Sequence, residues 1–323
     1  FTLICAVATG FLFGLLPAWS ASRRDAAATL KEAGGRSASG GRHTQMLRSG
    51  LVVSEVALAV MLLSTAGLLV RSFEALQRQS PGFEPAGLVT ARVSLLANES
   101  ATPEKRIAFT DSLLERVRAL PGVKSAGITT NLPFSGGNSS ASYSSPDIVV
   151  PPGAPAPHAR YRVVGPGYFE TVGMKPLLGR LFDERDVLIS QRVVIIDKLL
   201  ADKYWPGQDP LGKRIVRDDP AKPFLVVGVV PSIKFQGLDE DVNKESIYYP
   251  FAQASNPNVF LAARAQADPL KIAPSLREAV RAIDPDQPVS DIRTMTERMD
   301  AASLSRRAPM ILLGLFSGVA LLL

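Results

Sequence analysis

The segment LVVSEVALAVMLLSTAGLLV, residues 51–70, carries a single ionisable side chain, Glu55. An α-helix rises about 1.5 Å per residue, so a helix of this length spans roughly 30 Å, the thickness of the hydrocarbon core of a bilayer. The segment therefore predicts a transmembrane helix. The alternative is a buried helix of a large soluble domain. It is less favoured because an apolar segment of about 20 residues has the length of a membrane span.

Two further segments support the membrane interpretation. Residues 1–22 contain no charged side chain, and residues 308–323 are also uncharged. We expect the first to be a transmembrane helix and the second to be the start of another. Because the sequence begins and ends within apolar segments, we also expect it to be part of a larger membrane protein.

Composition predicts a large water-soluble domain between the spans. The 323 residues carry a net charge of +6 and are 46% hydrophobic, while the mean hydropathy is only +0.13. A protein made mostly of membrane helices would be far more apolar, so residues 72–307 are expected to fold in water. The one cysteine, Cys5, excludes a disulfide within this chain and a cysteine-based zinc site.

The loop between the first two predicted spans indicates their orientation. Residues 20–50 contain six Lys or Arg side chains against two Asp or Glu, and such an excess in a short loop marks the cytoplasmic side. Residues 23–50 are predicted to form a short cytoplasmic helix and a Gly/Ser-rich linker. The alternative is a solvated basic tail attracted to anionic lipid headgroups. The large domain is then expected on the outer side of the membrane.

Two similar patterns flank the middle of this domain. The helix that begins at residue 51 is expected to continue to about residue 80 and to stop at Pro81 and Gly82. The first pattern is a strand at 88–95, a helix at 102–120 with Thr102 as its N-cap, and a strand at 123–130. The second is a strand at 258–264, a helix at 269–283 capped by Asp268, a strand at 288–292 and a helix at 294–302. Two βαβ halves separated by an insertion predict a split βαβ, ferredoxin-like lobe.

The insertion, residues 131–254, is predicted to be a mainly β second lobe. It opens with a loop and a proline-rich segment, PPGAPAPH, that no regular element accommodates. Short β-branched or aromatic runs then predict strands at 159–164, 192–196, 213–216, 224–230 and 246–249, with a short helix at 198–204. The predicted fold class is thus an α+β membrane protein with a two-lobed extracytoplasmic domain.

No catalytic, cofactor-binding or metal-binding motif is found in the sequence. The nearest approach to a P-loop, Gly212-Lys213-Arg214, lacks its Ser or Thr, and Gly165-Pro166-Gly167 is interpreted as a turn. Residues 239–241 are acidic and could hold a cation, although a solvated turn is favoured. Glu55 could mark an ion path, but its place near one end of the helix favours an interfacial role. We therefore expect a protein that is not an enzyme and does not bind nucleic acid.

Four segments resemble a known family. They are LVVSEVALAVMLLSTAGLLVRSF (51–73), VVGPGYFETVGMKPLLGRLFDERD (163–186), VVIIDKLLADKYWPGQDPLGKRI (193–215) and FLVVGVV (224–230). Together they resemble FtsX-like ABC transporter permeases of the MacB type, and most closely the duplicated permeases called ADOP. LLPAWSASRRDAAATLKEA (15–33) is similar to the end of a first permease repeat.

The resemblance implies a domain assignment. Residues 1–22 would end the first repeat, 51–80 would be a transmembrane and stalk helix, and 308–323 would begin the next span. Residues 81–307 would form a MacB-like periplasmic core domain. In it, 86–130 and 257–302 would be the lobe called Porter, and 131–254 the lobe called Sabre.

The family also implies function and partners. A separate ABC ATPase would hydrolyse ATP, and the permease, in the bacterial inner membrane, would pass the motion to its periplasmic domain. Further partners would be membrane lipid, a periplasmic adaptor or lipoprotein, and a second permease or repeat. A membrane-anchored sensor or scaffold without transport is the alternative. The family-motif positions expected to serve structure or coupling are Glu55, Gly165, Tyr168, Phe169, Gly173, Gly179, Arg180, Trp205, Pro206, Gly207, Pro210 and Gly212.

Overall fold

A computed structural model describes residues 40–95, 102–148, 150–151, 153–240 and 244–322. The chain divides into two compact units. Among the described residues, one unit holds residues 40–67 together with 312–322, and the other is Leu68–Ile311. The predicted span at residues 1–22 and the predicted helix after residue 23 lie outside the described residues.

The regular elements are numbered here in chain order. The helices are α1 Gly40–Gln77, α2 Pro103–Arg118, α3 Tyr168–Val172, α4 Lys198–Tyr204, α5 Phe251–Ala254, α6 Ala273–Arg281, which follows a 3-10 turn at Pro269–Ile272, and α7 Met295–Leu322. The strands are β1 Leu88–Ser94, β2 Val123–Thr129, β3 Ser140–Ser142, β4 His158–Val164, β5 Leu178–Gly179, β6 Val193–Asp197, β7 Arg214–Ile215, β8 Phe224–Val230, β9 Ser246–Pro250, β10 Asn258–Ala265 and β11 Val289–Thr294.

Helix α1 contains the apolar segment 51–70, for which a transmembrane helix was predicted. Val52–Leu76 is the one helix, among the described residues, that is long and apolar enough to cross a membrane. Its valine and leucine side chains are largely exposed. The linker expected up to residue 50 is helical from Gly40. The good helix formers Gln45, Met46 and Leu47 extend the helix across a single glycine, Gly50.

Helix α7 replaces two predicted elements. The helix expected at 294–302 and the apolar segment from residue 308 form one continuous helix. The residues between them include leucine and two arginines, which favour helix, and the helix continues through Pro309. Beyond residue 310 the helix exposes Ile311, Leu315 and Phe316.

The two βαβ halves interleave in the sheet. Strand order there is β11-β1-β10-β2, with each neighbouring pair antiparallel. This is the order expected of a split βαβ arrangement. The predicted cap of α2 is present, because the amide of Lys105 donates to Oγ1 of Thr102 at 3.3 Å.

The insertion extends the same sheet. Its strands follow in the order β4-β9-β6-β8-β5, and β4–β9 and β6–β8 are parallel pairs. A single residue pair, Thr129 with Val164, joins this part to β2. The predicted strands and the helix at 198–204 are present within a residue or two of their expected ends. Helices α3 and α5 and strands β3 and β5 were not predicted.

Two apolar clusters lie on the two faces of the sheet. Along β6, Val194 and Ile196 belong to the first cluster, which includes Leu113 of α2 and Leu276 of α6. Ile195, between them, belongs to the second. The alternation follows from the pleat, which sends successive side chains to opposite faces. The second cluster forms the face against which the long helices end.

Candidate functional site

The chain passes from α1 to the sheet through residues 78–87, called here the exit segment. It packs against residues 231–235, called the strap. The amide of Lys234 donates to the carbonyl oxygen of Pro81 at 2.9 Å. Gly82 has a φ of +90°, and a Cβ at that position would lie 2.7 Å from the carbonyl oxygen of Ser232. The strap therefore leaves no room for a side chain at the turn that ends α1.

Arg264 of β10 fastens the exit segment to the domain. Its guanidinium donates to the carbonyl oxygens of Thr171 at 2.9 Å, Ala86 at 2.6 Å and Glu84 at 2.8 Å. The amide of Glu84 in turn donates to the carbonyl oxygen of Val172 at 2.8 Å. One buried side chain thus joins the end of α3 to the chain that leaves α1. The guanidinium group reaches the three carbonyl oxygens with three different nitrogens, whereas the single ammonium group of lysine could not reach all of them.

The start of α7 is fixed by a capping box. The amide of Glu297 donates to Oγ1 of Thr294 at 3.1 Å, and the amide of Thr294 donates to Oε2 of Glu297 at 2.8 Å. This reciprocal pair satisfies backbone donors that a helix start leaves unpaired. Because Thr294 also ends β11, the helix begins directly at the sheet.

Arg298 secures the first turn of α7 to the strands. Its Nε donates to Oγ1 of Thr90 in β1 at 2.7 Å, and its terminal nitrogens donate to the backbone and carboxylate oxygens of Asp291 at 2.6 and 2.7 Å. The side chain is 4% exposed. Asp291 has a positive φ of 54°, in the left-handed region that Asp tolerates better than most residues.

Both long helices therefore end on one cluster. Leu76 of α1 and Met299 and Ala302 of α7 all pack, partly buried, against the second apolar cluster. We call this arrangement the helix junction: Leu76, the exit segment, the first turns of α7 and the two arginines 264 and 298. All of these residues lie within the unit Leu68–Ile311.

Four of the family-motif positions are at or beside the helix junction. Gly165 donates its amide to the carbonyl oxygen of Ile128 at 2.8 Å, and a Cβ there would lie 2.4 Å from the Ile128 side chain. Tyr168 and Phe169 are buried in the second cluster, where burial raises the pKa of Tyr168. Gly173, with a φ of +75°, ends α3 beside Glu84.

The remaining motif positions of the domain lie elsewhere in the sheet and have structural contacts. Gly179, on the edge strand β5, pairs with Gly228 of β8. Arg180 holds the following loop through two bonds to Asp186, at 2.7 and 2.8 Å. The residues near the end of α4 and before β7 are the buried Trp205, the exposed Pro206 and Gly207, the buried Pro210 and the exposed Gly212.

Trp205 illustrates the structural character of this second group. Its Nε1 donates to the carbonyl oxygen of Asp147 at 3.2 Å, and the amide of Gly212 donates to the carbonyl oxygen of Val226 at 2.8 Å. These contacts tie the insertion together. The motif positions of this second group do not lie at the helix junction. Glu55 belongs to the other unit, on an exposed face of α1.

Of the acidic residues 239–241, Asp239 is exposed in a turn, as favoured, but Glu240 points inward, and Asp241 lies outside the described residues. Glu240 pairs with the buried Arg160 and accepts the amides of Phe235 at 2.6 Å and Gln236 at 2.8 Å. The buried cation beneath the segment explains why the carboxylate turns inward. Throughout the part of the chain that the structure describes, there is no group of three or more His, Cys, Asp or Glu side chains that could hold a metal ion.

Sequence reasoning missed the two arginines that organise the junction. Arg264 interrupts an apolar strand, NVFLAAR, and an arginine in a predicted core strand is a signal of a buried polar contact. Arg298 lies among charged helix residues and carries no such signal. Its role depends on the pairing of β1 with β11, which is not evident from local sequence.

Comparison with known proteins gives a family match over most of the domain. Residues 49–279 match the family model described as the MacB-like periplasmic core domain. A 67-residue segment is 45% identical to the macrolide export ATP-binding/permease protein MacB of Neisseria gonorrhoeae, which covers 21% of this chain and 10% of that protein. The protein of the same name from Aggregatibacter actinomycetemcomitans is 32% identical over 93 residues, or 29% of this chain and 14% of that protein.

Solved structures give similarities at lower sequence identity. The periplasmic region of MacB from Actinobacillus actinomycetemcomitans aligns with 69% of this chain and 95% of its own, at 18% identity and a TM-score of 0.44. The extracellular domain of the noncanonic ABC-type transporter YknZ from Gram-positive bacteria aligns with 64% of this chain and 99% of its own, at 17% identity and a TM-score of 0.40.

Proposed function

Because the chain belongs to the family of the MacB-like periplasmic core domain, which its residues 49–279 match, we propose that it is part of the permease of an ABC-type export or mechanotransmission system. A separate ATPase would bind and hydrolyse ATP. The permease would carry the resulting motion to its outer domain, which would act on a substrate or partner.

The proposed location is the bacterial inner membrane, with the domain Leu68–Ile311 in the periplasm. Helix α1 is the candidate span that supports this location, and the basic loop before it supports the orientation. In this arrangement residues 86–130 and 257–302 form the Porter-like part and 131–254 the Sabre-like part. The exposed apolar side chains of α7 beyond residue 310 support a second membrane segment.

The proposed work of the chain is mechanical. A helix that crosses the membrane and ends on a packed cluster transmits displacement, because a close-packed interior deforms little. Here α1 and α7 end on the same cluster, and buried arginines fix each end to β-strands. A change in the spacing of the two helices would therefore reach the sheet through Arg264 and Arg298, as in other transitions that reposition packed elements.

This role needs no catalytic group in the chain itself. The chemistry would belong to the ATPase, and substrate contact would belong to the outer domain, alone or with a periplasmic adaptor or lipoprotein. A second permease or the other repeat of the same chain would complete the membrane assembly.

The family match over residues 49–279 is the observation that carries the proposal, and purification from membranes tests it. The full-length permease, extracted in mild detergent, is expected to bring an ABC ATPase with it in mass spectrometry. A co-purified adaptor or lipoprotein would indicate the outer partner. Recovery of intact, abundant permease without any ATPase would contradict the proposal and favour the membrane-anchored sensor or scaffold.

A further inference from the structure

A buried carboxylate outside the helix junction connects α4 to the strap. Asp197, at the end of β6, is 1% exposed. One of its oxygens accepts the amide of Leu200 at 3.0 Å and so caps α4. The other accepts the hydroxyl of Ser232 at 2.9 Å, and the same hydroxyl oxygen accepts the amide of Leu199 at 3.0 Å.

Ser232 belongs to the strap, so this carboxylate is connected to the end of α1. Two residues later, Lys234 donates its amide to the carbonyl oxygen of Pro81. Gly82 lies so close to the carbonyl of Ser232 that a side chain there would collide with it. The connection from Asp197 through the strap to the exit segment thus consists of two hydrogen bonds and one tight backbone contact.

The charged and titratable groups around Asp197 come from each element packed near it. Glu245, just before β9, repels it, and Lys203 of α4 pairs with Glu245. Arg160 of β4 attracts it. The phenols of Tyr143 and Tyr248 also interact with its charge. The cluster therefore contains two buried carboxylates, Asp197 and Glu245, of which Glu245 is paired with Lys203.

We propose that Asp197 is a proton-operated latch: when neutral it keeps the strap closed on α4 and the exit segment, and when ionised it favours opening of the strap to water. The ligand that the latch senses is the proton of the surrounding solution. The device acts where the chain leaves α1, whatever the protein transports.

The direction in which pH shifts the opening of the strap follows from the linkage between protonation and opening. Burial raises the pKa of Asp197 from 3.8 to about 6, against the opposing effect of its hydrogen bonds. An opened strap would return the carboxyl to water and to its ordinary pKa. The closed state therefore binds the proton more tightly, so closure is favoured as pH falls through about 6 and weakened as pH rises through it. Between pH 5 and 7.5 this pKa difference corresponds to an increase in the opening equilibrium on the order of tenfold.

Hydrogen exchange on the intact protein in lipid nanodiscs tests the latch. Amides of residues 197–204 and 231–236 are followed at pH 5 and 7.5, corrected for the chemical exchange rate, with β10 as the internal reference. Protection of the strap and α4 is expected to be about tenfold lower at pH 7.5, while β10 does not change. Equal protection at both pH values would overturn the proposal, and this comparison needs no variant.

A neutral replacement provides the second arm. Asp197→Asn keeps the cap acceptor for α4 and a polar contact for Ser232, so its protection at pH 7.5 is expected to equal that of the wild type at pH 5. The matched control is Asp202→Asn, which removes an exposed carboxylate from the same helix and should leave the pH dependence intact. A persistent tenfold pH dependence in Asp197→Asn would show that another group is responsible.

Discussion

Replacement of Arg264 by methionine is expected to lower the free energy of unfolding of the domain Leu68–Ile311 by about 3 kcal/mol. Methionine occupies a similar volume but donates no hydrogen bond, so the carbonyl oxygens of Thr171, Ala86 and Glu84 lose their partner. Each buried acceptor left unpaired costs roughly 1–3 kcal/mol, and the partly exposed ones recover some of this cost from water. For a domain of this size the melting temperature should fall by roughly 6–12 °C.

The fluorescence of Trp205 can report this unfolding in a Trp19→Phe background, because the chain has two tryptophans. Arg277→Met is the matched control, since Arg277 is exposed on α6; its effect should stay within about 0.5 kcal/mol. Arg264→Lys should fall between the two, because one ammonium cannot reach all three acceptors. A melting temperature for Arg264→Met equal to that of Arg277→Met would show that the hydrogen bonds of Arg264 do not stabilise the domain.

Alanine at Gly127 is expected to destabilise the domain by a similar amount, about 3 kcal/mol. The new methyl group would lie 2.5 Å from both Cα and N of Tyr168 and 2.8 Å from the carbonyl carbon of Gly167. These are backbone atoms, so the turn Gly165–Gly167 and helix α3 must move away from β2. That movement displaces Tyr168 and Phe169 from the cluster on which the long helices end.

Gly137 provides the control for this substitution. A Cβ there meets only the side chains of Asn131 and Ser135, each at 3.8 Å, which is ordinary contact. Gly137→Ala should therefore melt within about 1–2 °C of the wild type. If Gly127→Ala melts at the same temperature as Gly137→Ala, the close approach of α3 to β2 does not constrain the domain.

Local chemistry predicted most of the elements. The apolar period and the Thr102 cap located α2, and the β-branched run FLVVGVV located β8 without error. The elements that were missed are short. Helix α3 has five residues and β5 has two. Neither is long enough to show the regular spacing of apolar residues by which helices and strands are predicted. Gly167 and Gly173 bound α3, but Gly167 was interpreted only as part of a turn and Gly173 only as a family-motif position.

Longer-range features could not be derived from local patterns. The insertion joins the sheet through the single pair Thr129 and Val164, and nothing near either residue specifies the other. The same holds for the contact of Arg298 with Thr90, which are separated by 208 positions. The helix junction therefore emerged from the structure, while the family resemblance supplied only Gly165, Tyr168, Phe169 and Gly173 among its neighbours.

The central claim is that the helix junction passes motion between the membrane helices and the outer domain. The most direct test is the ATP turnover of the cognate ATPase in lipid nanodiscs, measured alone, with the full permease and with its Arg264→Met variant, below the melting temperature of the variant. The account predicts that the wild-type permease and the Gly137→Ala control change the turnover equally and that Arg264→Met loses most of this change. An ATPase that turns over at the same rate with and without the permease, or that responds fully to Arg264→Met, would contradict it.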